Sequence, residues 1–99
     1  MRITKQQIKI LKEAVKKVVG EQAKIWLFGS RLDDNARGGD IDILVSLDNI
    51  VEKPASTVAK ISAKVMMKMQ GQKIDVLLEA PNLEKLPIHT AVHNQGILL

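Results

Sequence analysis

The sequence predicts a small α/β domain in which helices pack on a mixed β-sheet. Three short apolar runs, each typical of a buried strand, alternate with stretches whose apolar residues recur at helical spacing. The order of these segments is αβαβαβα. The link between the first two strands has about 11 residues, too few for a usual parallel crossover, whereas the next link is long enough for one. We therefore expect both antiparallel and parallel strand pairs.

Length and composition favour one globular domain over residues 1–99. Of the 99 residues, 45% are hydrophobic and 26% are charged, which is the balance of a folded domain rather than a disordered tail. Cysteine is absent, which excludes disulfides, cysteine-ligated metals and thiol catalysis. No apolar run approaches the roughly 18 residues of a membrane span, and the first ten residues do not resemble a signal peptide. We expect a cytoplasmic protein with no membrane association.

The charge balance is moderately basic. Lys and Arg number 15 against 11 Asp and Glu, a net charge of +4, which suits a nucleotide, a nucleic acid or an acidic partner without choosing among them. The lysines of the first helix are interpreted as a solvated face. Because no basic, aromatic-rich strand offers a platform for base stacking, no direct nucleic-acid binding is expected.

Four helices are predicted, a short one after the first strand and three longer ones over residues 4–19, 54–69 and 87–95. Thr4 is expected to cap the first, which stops at Gly20, and the other two begin with proline, a favoured first-turn residue. Methionines near the end of the second helix are interpreted as core gap-fillers or as part of a partner-binding patch.

Three strands are predicted, over residues 25–28, 41–47 and 74–78. Ser30 to Asp33 matches a capping box with Asp in place of Glu, so we expect a short helix after the first strand, ending at Gly38-Gly39. Residues 97–99 form an apolar tail, which we expect to be buried against a partner or a second copy of the chain.

Acidic residues interrupt two of the predicted strands. Asp40 and Asp42 stand at period two, so they point to one face of a buried strand, with Cα atoms roughly 6.6 Å apart. Hard oxygen ligands at this separation can share a pair of Mg²⁺ ions; the alternative is two solvated carboxylates at the strand's start. Asp75 lies within an otherwise apolar strand, where an unpaired acid needs a cation. If the third strand lies beside the second, the three acids form one site. Glu79, at the strand's end, is expected to be solvated.

Gly29-Ser30 follows the first strand and opens the predicted short helix. Glycine allows a close backbone turn, and unpaired N–H groups at a helix start attract anions. The alternative is that Ser30 only caps that helix. Arg31 is expected either to touch phosphate or to form an ion pair with Asp33 or Asp34.

Taken together, these motifs resemble a known family. The Phe28-Gly29-Ser30 segment, the Asp40-Ile41-Asp42 segment after nine intervening residues and the isolated Asp75 resemble the nucleotidyltransferase superfamily of DNA polymerase beta. More narrowly, the chain resembles the minimal nucleotidyltransferases, the short prokaryotic members related to kanamycin nucleotidyltransferase. The resemblance covers residues 25–78 and the ending at Gly96. Gly39 is a departure, because many relatives have serine there.

The resemblance implies the nucleotidyltransferase fold and a role for each site residue. Gly29 and Ser30 would hold the terminal phosphates of ATP, and Arg31 would assist them. Asp40, Asp42 and Asp75 would be catalytic and would bind Mg²⁺, with two ions implied and Mn²⁺ as a substitute. Asp75 would also help to deprotonate the acceptor hydroxyl.

The resemblance also implies a partner. The 99 residues leave no room for the acceptor-binding domain of larger relatives, so we expect another chain to present the acceptor. The short members are similar to antitoxins encoded beside HEPN-domain RNase toxins, which implies transfer of AMP from ATP to a toxin tyrosine. Two alternatives stay open: an antitoxin that masks the toxin without catalysis, and a small-molecule nucleotidyltransferase with a separate acceptor-binding subunit.

His89 and His93 are four residues apart, so they share a helix face and would suit a metal. No third ligand accompanies them in the sequence. We therefore expect them to be surface or interface histidines rather than metal ligands.

Overall fold

The computed structural model describes residues 2–33 and 39–99. These residues form three α-helices and four strands, α1 (Lys5–Val19), β1 (Lys24–Phe28), β2 (Ile41–Ser46), α2 (Pro54–Lys68), β3 (Ile74–Glu79), α3 (Pro87–Gln95) and β4 (Ile97–Leu98). The predicted alternation of helices and strands is therefore confirmed, with differences after β1 and after α3 that are described below.

The four strands form one mixed sheet in the order β3-β2-β1-β4. β1 is antiparallel to both β2 and β4, while β2 and β3 are parallel and joined through α2. The short link between β1 and β2 therefore gives an antiparallel pair, as its length predicts, and the longer link gives the parallel crossover. The mixed α/β fold class is confirmed.

The main core lies between one face of the sheet and the α1–α2 pair. Side chains on a strand alternate between faces, and the buried residues of the central strands share this face. The largest fully buried members are Leu11 and Val15 of α1, Ile61 and Val65 of α2, and Leu27, Ile41, Ile43 and Val45 of the sheet. The opposite face carries Leu44, which is fully buried, and α3 packs over β1. Helices thus cover one face fully and the other only in part.

The helix ends follow the predicted capping chemistry. The Thr4 hydroxyl accepts from the Gln7 amide at 3.0 Å, and the Gln7 side chain accepts from the Thr4 amide at 2.9 Å. Gly20 ends α1 with φ +99°, and α2 and α3 both begin at a proline. No helix in the described part of the chain is long and apolar enough to cross a bilayer.

The predicted short helix after β1 is instead a single 3₁₀ turn, Gly29–Leu32, and the Ser30 capping box is wrong. Phe28 stands at the cap position without a side-chain hydrogen bond, and Ser30 lies inside the turn. Arg2 stabilises the turn, because its guanidinium donates to Ser30 O at 3.0 Å and to Asp33 O at 2.9 Å. The predicted stop at Gly38, like Asp34, lies outside the described residues.

The predicted apolar tail belongs partly to the sheet. Ile97 and Leu98 pair with β1, and the Leu99 amide donates to Ile25 O at 2.8 Å. Leu99 packs against the core, whereas Ile97 and Leu98 are 42% and 51% exposed. Backbone pairing within the chain therefore fixes the position of this segment, and its burial against a partner stays a prediction.

Candidate functional site

The sheet register brings the predicted acids to one place. Asp42 of β2 lies directly beside Asp75 of β3, and Asp40 immediately precedes β2. Adjacent residues in register share a face of the sheet, and Ile41 and Ile43 occupy the core face. The carboxylates of Asp42 and Asp75 therefore lie on the face opposite to α1 and α2. The expectation that the third strand lies beside the second is confirmed.

Asp75 is exposed, which corrects one argument made from the sequence. The apolar neighbours of Asp75 predict a buried acid, but β3 is the last strand on its side of the described sheet. Water therefore reaches the carboxylate of Asp75, and burial gives no reason for a cation there. The remaining reason to expect a cation near Asp75 is the proximity of other acidic side chains.

That proximity changes the protonation of Asp42. Its partial burial raises the pKa of the carboxyl group, and the negative charge of Asp75, a side-chain hydrogen bond with Asp75 and the charge of Asp40 raise it further. A hydrogen bond between two carboxyl groups requires a proton on one of them. Asp42 and Asp75 thus form a pair that favours a proton, or another cation, between its oxygens.

Gly29 places the 3₁₀ turn directly against this acid pair. Its φ of +77° is one that side chains rarely allow, and a Cβ there would overlap Oδ2 of Asp42 and lie 3.1 Å from its Cγ. Next to it, Ser30 is exposed, and a Cβ on Gly39 would lie 3.1 Å from the Ser30 hydroxyl oxygen. The Gly-Ser turn and the start of β2 therefore lie so close together that a side chain at position 29 or 39 would crowd the opposite segment.

An exposed Gly-Ser turn packed against Asp42, with Asp75 beside it on the next strand, is the arrangement that the resemblance implies. The family model described as polymerase beta, nucleotidyltransferase matches residues 5–99. The chain belongs to the polymerase beta nucleotidyltransferase family. A search of curated proteins gives no match. The family assignment supports nucleotidyl transfer as the class of activity, and the three acids and the Gly-Ser turn lie within the matched range.

In this nucleotidyltransferase domain, Arg31 ties together segments that are distant in sequence. Its guanidinium donates to Arg2 O at 3.0 Å, to Gly39 O at 3.1 Å and to the side-chain oxygen of Gln72 at 3.2 Å. Three hydrogen bonds to neutral acceptors favour a structural role in holding the turn to the start of β2. Contact of Arg31 with phosphate stays a prediction.

Gln72 is the residue that sequence reasoning missed. Its side-chain amide donates to Lys73 O at 2.9 Å and to Gly39 O at 3.4 Å, while its oxygen accepts from Arg31. It therefore joins the residue before Asp40 to the segment before Asp75. Nothing in the local sequence signals this role, because a glutamine after a glycine that follows a helix is an ordinary turn residue, and Arg31 and Gly39 lie more than 30 positions away.

The donor chemistry of the site fits a hard divalent cation. Among the described residues, no three His, Cys, Asp or Glu side chains converge ready-made on one metal position. The hydrogen-bonded pair of Asp42 and Asp75, with Asp40 beside it, nevertheless supplies carboxylate oxygens whose mutual repulsion a cation would relieve. Asp40, Asp42 and Asp75 are thus the residues that would hold the divalent metals typical of this family.

The two histidines and Glu79 lie at the other end of the sheet. His89 is buried rather than on the surface: its Nδ1 accepts from the Leu86 amide at 2.9 Å, and its Nε2 contacts Leu78 O at 2.9 Å, which assigns the proton to Nε2. The sequence pattern misses this because both ring nitrogens bond to backbone.

Glu79 is partly buried rather than solvated. It accepts from the Ser46 hydroxyl at 2.8 Å, contacts His93 Nε2 at 2.8 Å and pairs with Lys85 at 3.8 Å. Burial opposes its ionisation, but hydrogen bonds from His93 and Ser46 and the charges of His93 and Lys85 outweigh burial and lower the pKa of Glu79. The ring of His93 meets Trp26 edge-on, with centroids 4.9 Å apart. This cluster joins α3 to the sheet, and His93 acts there as a structural residue.

Proposed function

We propose that this chain transfers AMP from Mg-ATP to the tyrosine hydroxyl of a HEPN-domain toxin and thereby acts as its antitoxin. The observation that carries the nucleotidyl-transfer part is the register of Asp42 with Asp75, against the Gly29 turn. The nature of the acceptor rests on the resemblance to short family members that act beside such toxins.

Each site residue has a defined task in this reaction. The backbone at Gly29 and the hydroxyl of Ser30 would bind the β- and γ-phosphates, and Asp40, Asp42 and Asp75 would hold the metals. Bound Mg²⁺ supplies neutralisation of phosphate charge. The acceptor oxygen forms a bond to the α-phosphorus while the bond from that phosphorus to the pyrophosphate oxygen breaks. The proton of the hydroxyl passes to Asp75, whose exposed carboxylate an incoming chain can reach.

Exposed apolar side chains beside the site support docking of an acceptor protein or of a second copy of the chain. A cavity of about 230 Å³ lies between the 3₁₀ turn and α3, lined by Phe28, Gly29, Leu32 and Ile88 among others. Ile88 is 46% exposed, and Ile97 and Leu98 of β4 are exposed to a similar degree. An acceptor that covers this patch would bring its hydroxyl to the adjoining end of the sheet.

The decisive experiment compares Asp75→Asn with wild type. The chain is incubated with α-labelled ATP, Mg²⁺ and the product of the neighbouring gene, and the mass of that product is measured. We expect one or more added AMP groups with wild type and a fall in rate of at least ~100-fold with Asp75→Asn, because general-base help is lost. ATP binding and thermal stability should be largely retained.

Asp48→Asn is the matched control, since Asp48 is an exposed carboxylate away from the site and should leave transfer unchanged. If wild type neutralises the toxin and adds no AMP to it, the masking alternative replaces the enzyme proposal. If an aminoglycoside or another small hydroxyl compound is labelled instead, the acceptor is a small molecule and the toxin proposal fails.

A further inference from the structure

The helices α1 and α2 concentrate the positive charge of the chain. They contain eight of its 15 basic residues and one of its 11 acidic residues, Glu13. Together they carry a charge of +7, so the remaining residues carry −3. The overall charge of +4 therefore hides a strong separation of charge between the helical layer and the rest of the molecule.

The fold brings these lysines to one outer surface. The apolar sides of α1 and α2 are buried against the sheet, and seven of the eight lysines are exposed, Lys12 being half-buried. Two neighbouring hollows, of about 130 and 290 Å³, follow the contact between the helices and share Glu13 and Lys68 in their walls. The lysines that line them, Lys9, Lys17, Lys64 and Lys68, are called the lysine seam below.

The lysine seam does not belong to the nucleotide site. Asp42 and Asp75 lie on the opposite face of the sheet from α1 and α2, with the core between them. A triphosphate at the Gly29 turn therefore cannot contact the seam. A surface of this charge attracts polyanions other than that triphosphate.

The side chains of the lysine seam suit the phosphate backbone of a nucleic acid better than the surface of a protein or a lipid membrane. Cores of protein interfaces are depleted of lysine, whereas lysines line both hollows. Met66 and Met67, the large hydrophobic residues that α1 and α2 expose, are of a type that such cores favour, but they stand beside eight lysines. Membrane-surface helices need an apolar face for the lipid, and here that face is turned to the sheet. Phosphate backbone requires cations and no apolar contact.

We propose that the lysine seam binds the phosphate backbone of a nucleic-acid duplex. The scarcity of aromatic residues, which speaks against base stacking, is compatible with this mode, because backbone contacts position a duplex without reading its bases. The sequence alone does not suggest it, since the lysines of α1 by themselves form an ordinary solvated face, and only the fold places α2 beside them.

Fluorescence anisotropy with labelled 20-base-pair RNA and DNA duplexes tests the proposal, without ATP or divalent metal so that the nucleotide site takes no part. If the four lysines of the seam contact phosphates, the slope of log K against log salt is about −3.6, which is a loss of about 150-fold between 50 and 200 mM salt. Binding of RNA alone, DNA alone or both supports the proposal and identifies the source of the phosphates.

Two double variants with the same change in net charge separate the seam from general electrostatics. Lys64→Glu/Lys68→Glu should weaken binding at least tenfold and make the slope shallower by about two. Lys24→Glu/Lys53→Glu, exposed but outside the seam, should bind nearly as wild type. The double variant Lys9→Gln/Lys17→Gln, which replaces two lysines of α1 by neutral residues, should also weaken binding. Because it leaves α2 unchanged, its effect cannot arise from a folding defect in α2.

Equal losses in the seam and control variants would overturn the proposal, as would a salt slope near zero. Tighter binding of polyglutamate than of either duplex at the same salt would also overturn it, in favour of an acidic protein partner.

Discussion

Asp42 lies between both parts of the proposed nucleotide site, since it stands in register with Asp75 and its carboxyl group lies against the backbone of Gly29. Its surroundings favour the protonated carboxyl in the absence of metal. The same surroundings favour a bound cation when one is supplied, because each positive charge relieves the repulsion between neighbouring carboxylates. Stability without metal and affinity for metal are therefore opposed at this one residue.

Asp42→Asn is expected to stabilise the metal-free fold at pH 7. The pKa of Asp42 is raised above 3.8 in the folded state. Ionisation of Asp42 therefore lowers the free energy of unfolding as the pH rises from 3.8 to the raised pKa, and the full loss persists at higher pH. Asparagine removes this cost. Thermal denaturation in chelator should show a higher Tm than wild type at pH 7, with the difference shrinking toward pH 3.8 and below.

The same substitution should weaken binding of Mg-ATP by at least ~100-fold in calorimetry, since loss even of residues that support metal ligands typically costs 10–100-fold. Asp48→Asn again serves as the control for the change from carboxylate to amide. Unchanged affinity of Asp42→Asn, or equal affinity of wild type in excess chelator, would contradict the metal site.

At the scale of elements, α3 is held to the sheet by polar contacts at one end of the sheet. Glu79 connects β3 to Ser46 of β2, to His93 of α3 and to Lys85, while His89 bonds to the carbonyl of Leu78. The helix has nine residues, too few to be stable alone, so its position depends on these contacts and on Val92.

Glu79→Gln should destabilise the fold by about 1 kcal/mol at pH 7, because charge-assisted hydrogen bonds are lost. For a domain of this size that lowers Tm by about 4–8 °C. The pKa of Glu79 is lowered below 4.5 in the fold, so its stabilisation is present above that pH and disappears as the pH falls through the lowered value. The difference between variant and wild type in thermal denaturation should thus vanish in acid.

Glu84→Gln, an exposed change in the loop that follows β3, is the control and should leave Tm unchanged. A constant difference between Glu79→Gln and wild type across the acid range would refute the ionic origin of the effect.

The elements that could be predicted from sequence are those whose signals are local. Thr4 and Gln7 cap each other within one helical turn, and the apolar residues of each strand stand next to one another. The turn after β1 and the position of residues 97–99 could not be predicted in the same way. The first depends on Arg2, some 30 residues away, and the second on backbone pairing with β1.

The residues of the candidate site likewise divide into those predicted from local sequence and those whose role depends on packing. Asp42 and Asp75 could be named because acids interrupt apolar strands, and Gly29 and Asp40 because they directly flank such strands. The hydrogen bonds of Gln72, the burial of His89 and the exposure of Asp75 depend on which elements pack together, and their own neighbours in sequence do not encode this.

At the scale of the whole molecule, the two faces of the sheet differ in what they leave uncovered. One is closed by α1 and α2, which turn lysines outward, and the other is only partly covered by α3 and retains exposed apolar side chains near the acids. The molecule therefore presents two distinct surfaces, and the apolar one is the surface proposed for the acceptor.

Ile88→Lys should weaken association with the acceptor protein, and any self-association, by at least tenfold, because a buried lysine at an apolar contact carries a desolvation cost. Light scattering and calorimetry with the neighbouring gene product measure this. Thr90→Lys is the matched control, since it adds the same charge at an exposed position of the same helix. Equal effects of the two variants, or a wild-type chain that ignores its neighbour at micromolar concentration, would argue against this surface.

The edge-on contact between Trp26 and His93 has an optical consequence. Trp26 is the one tryptophan of the chain and there is no tyrosine, so near-ultraviolet emission arises from a single indole. That indole meets the imidazole of α3 with ring centroids 4.9 Å apart, so its surroundings change when α3 leaves β1. The emission of Trp26 therefore reports whether α3 is packed on β1, and no added dye is needed to follow the packing of this helix.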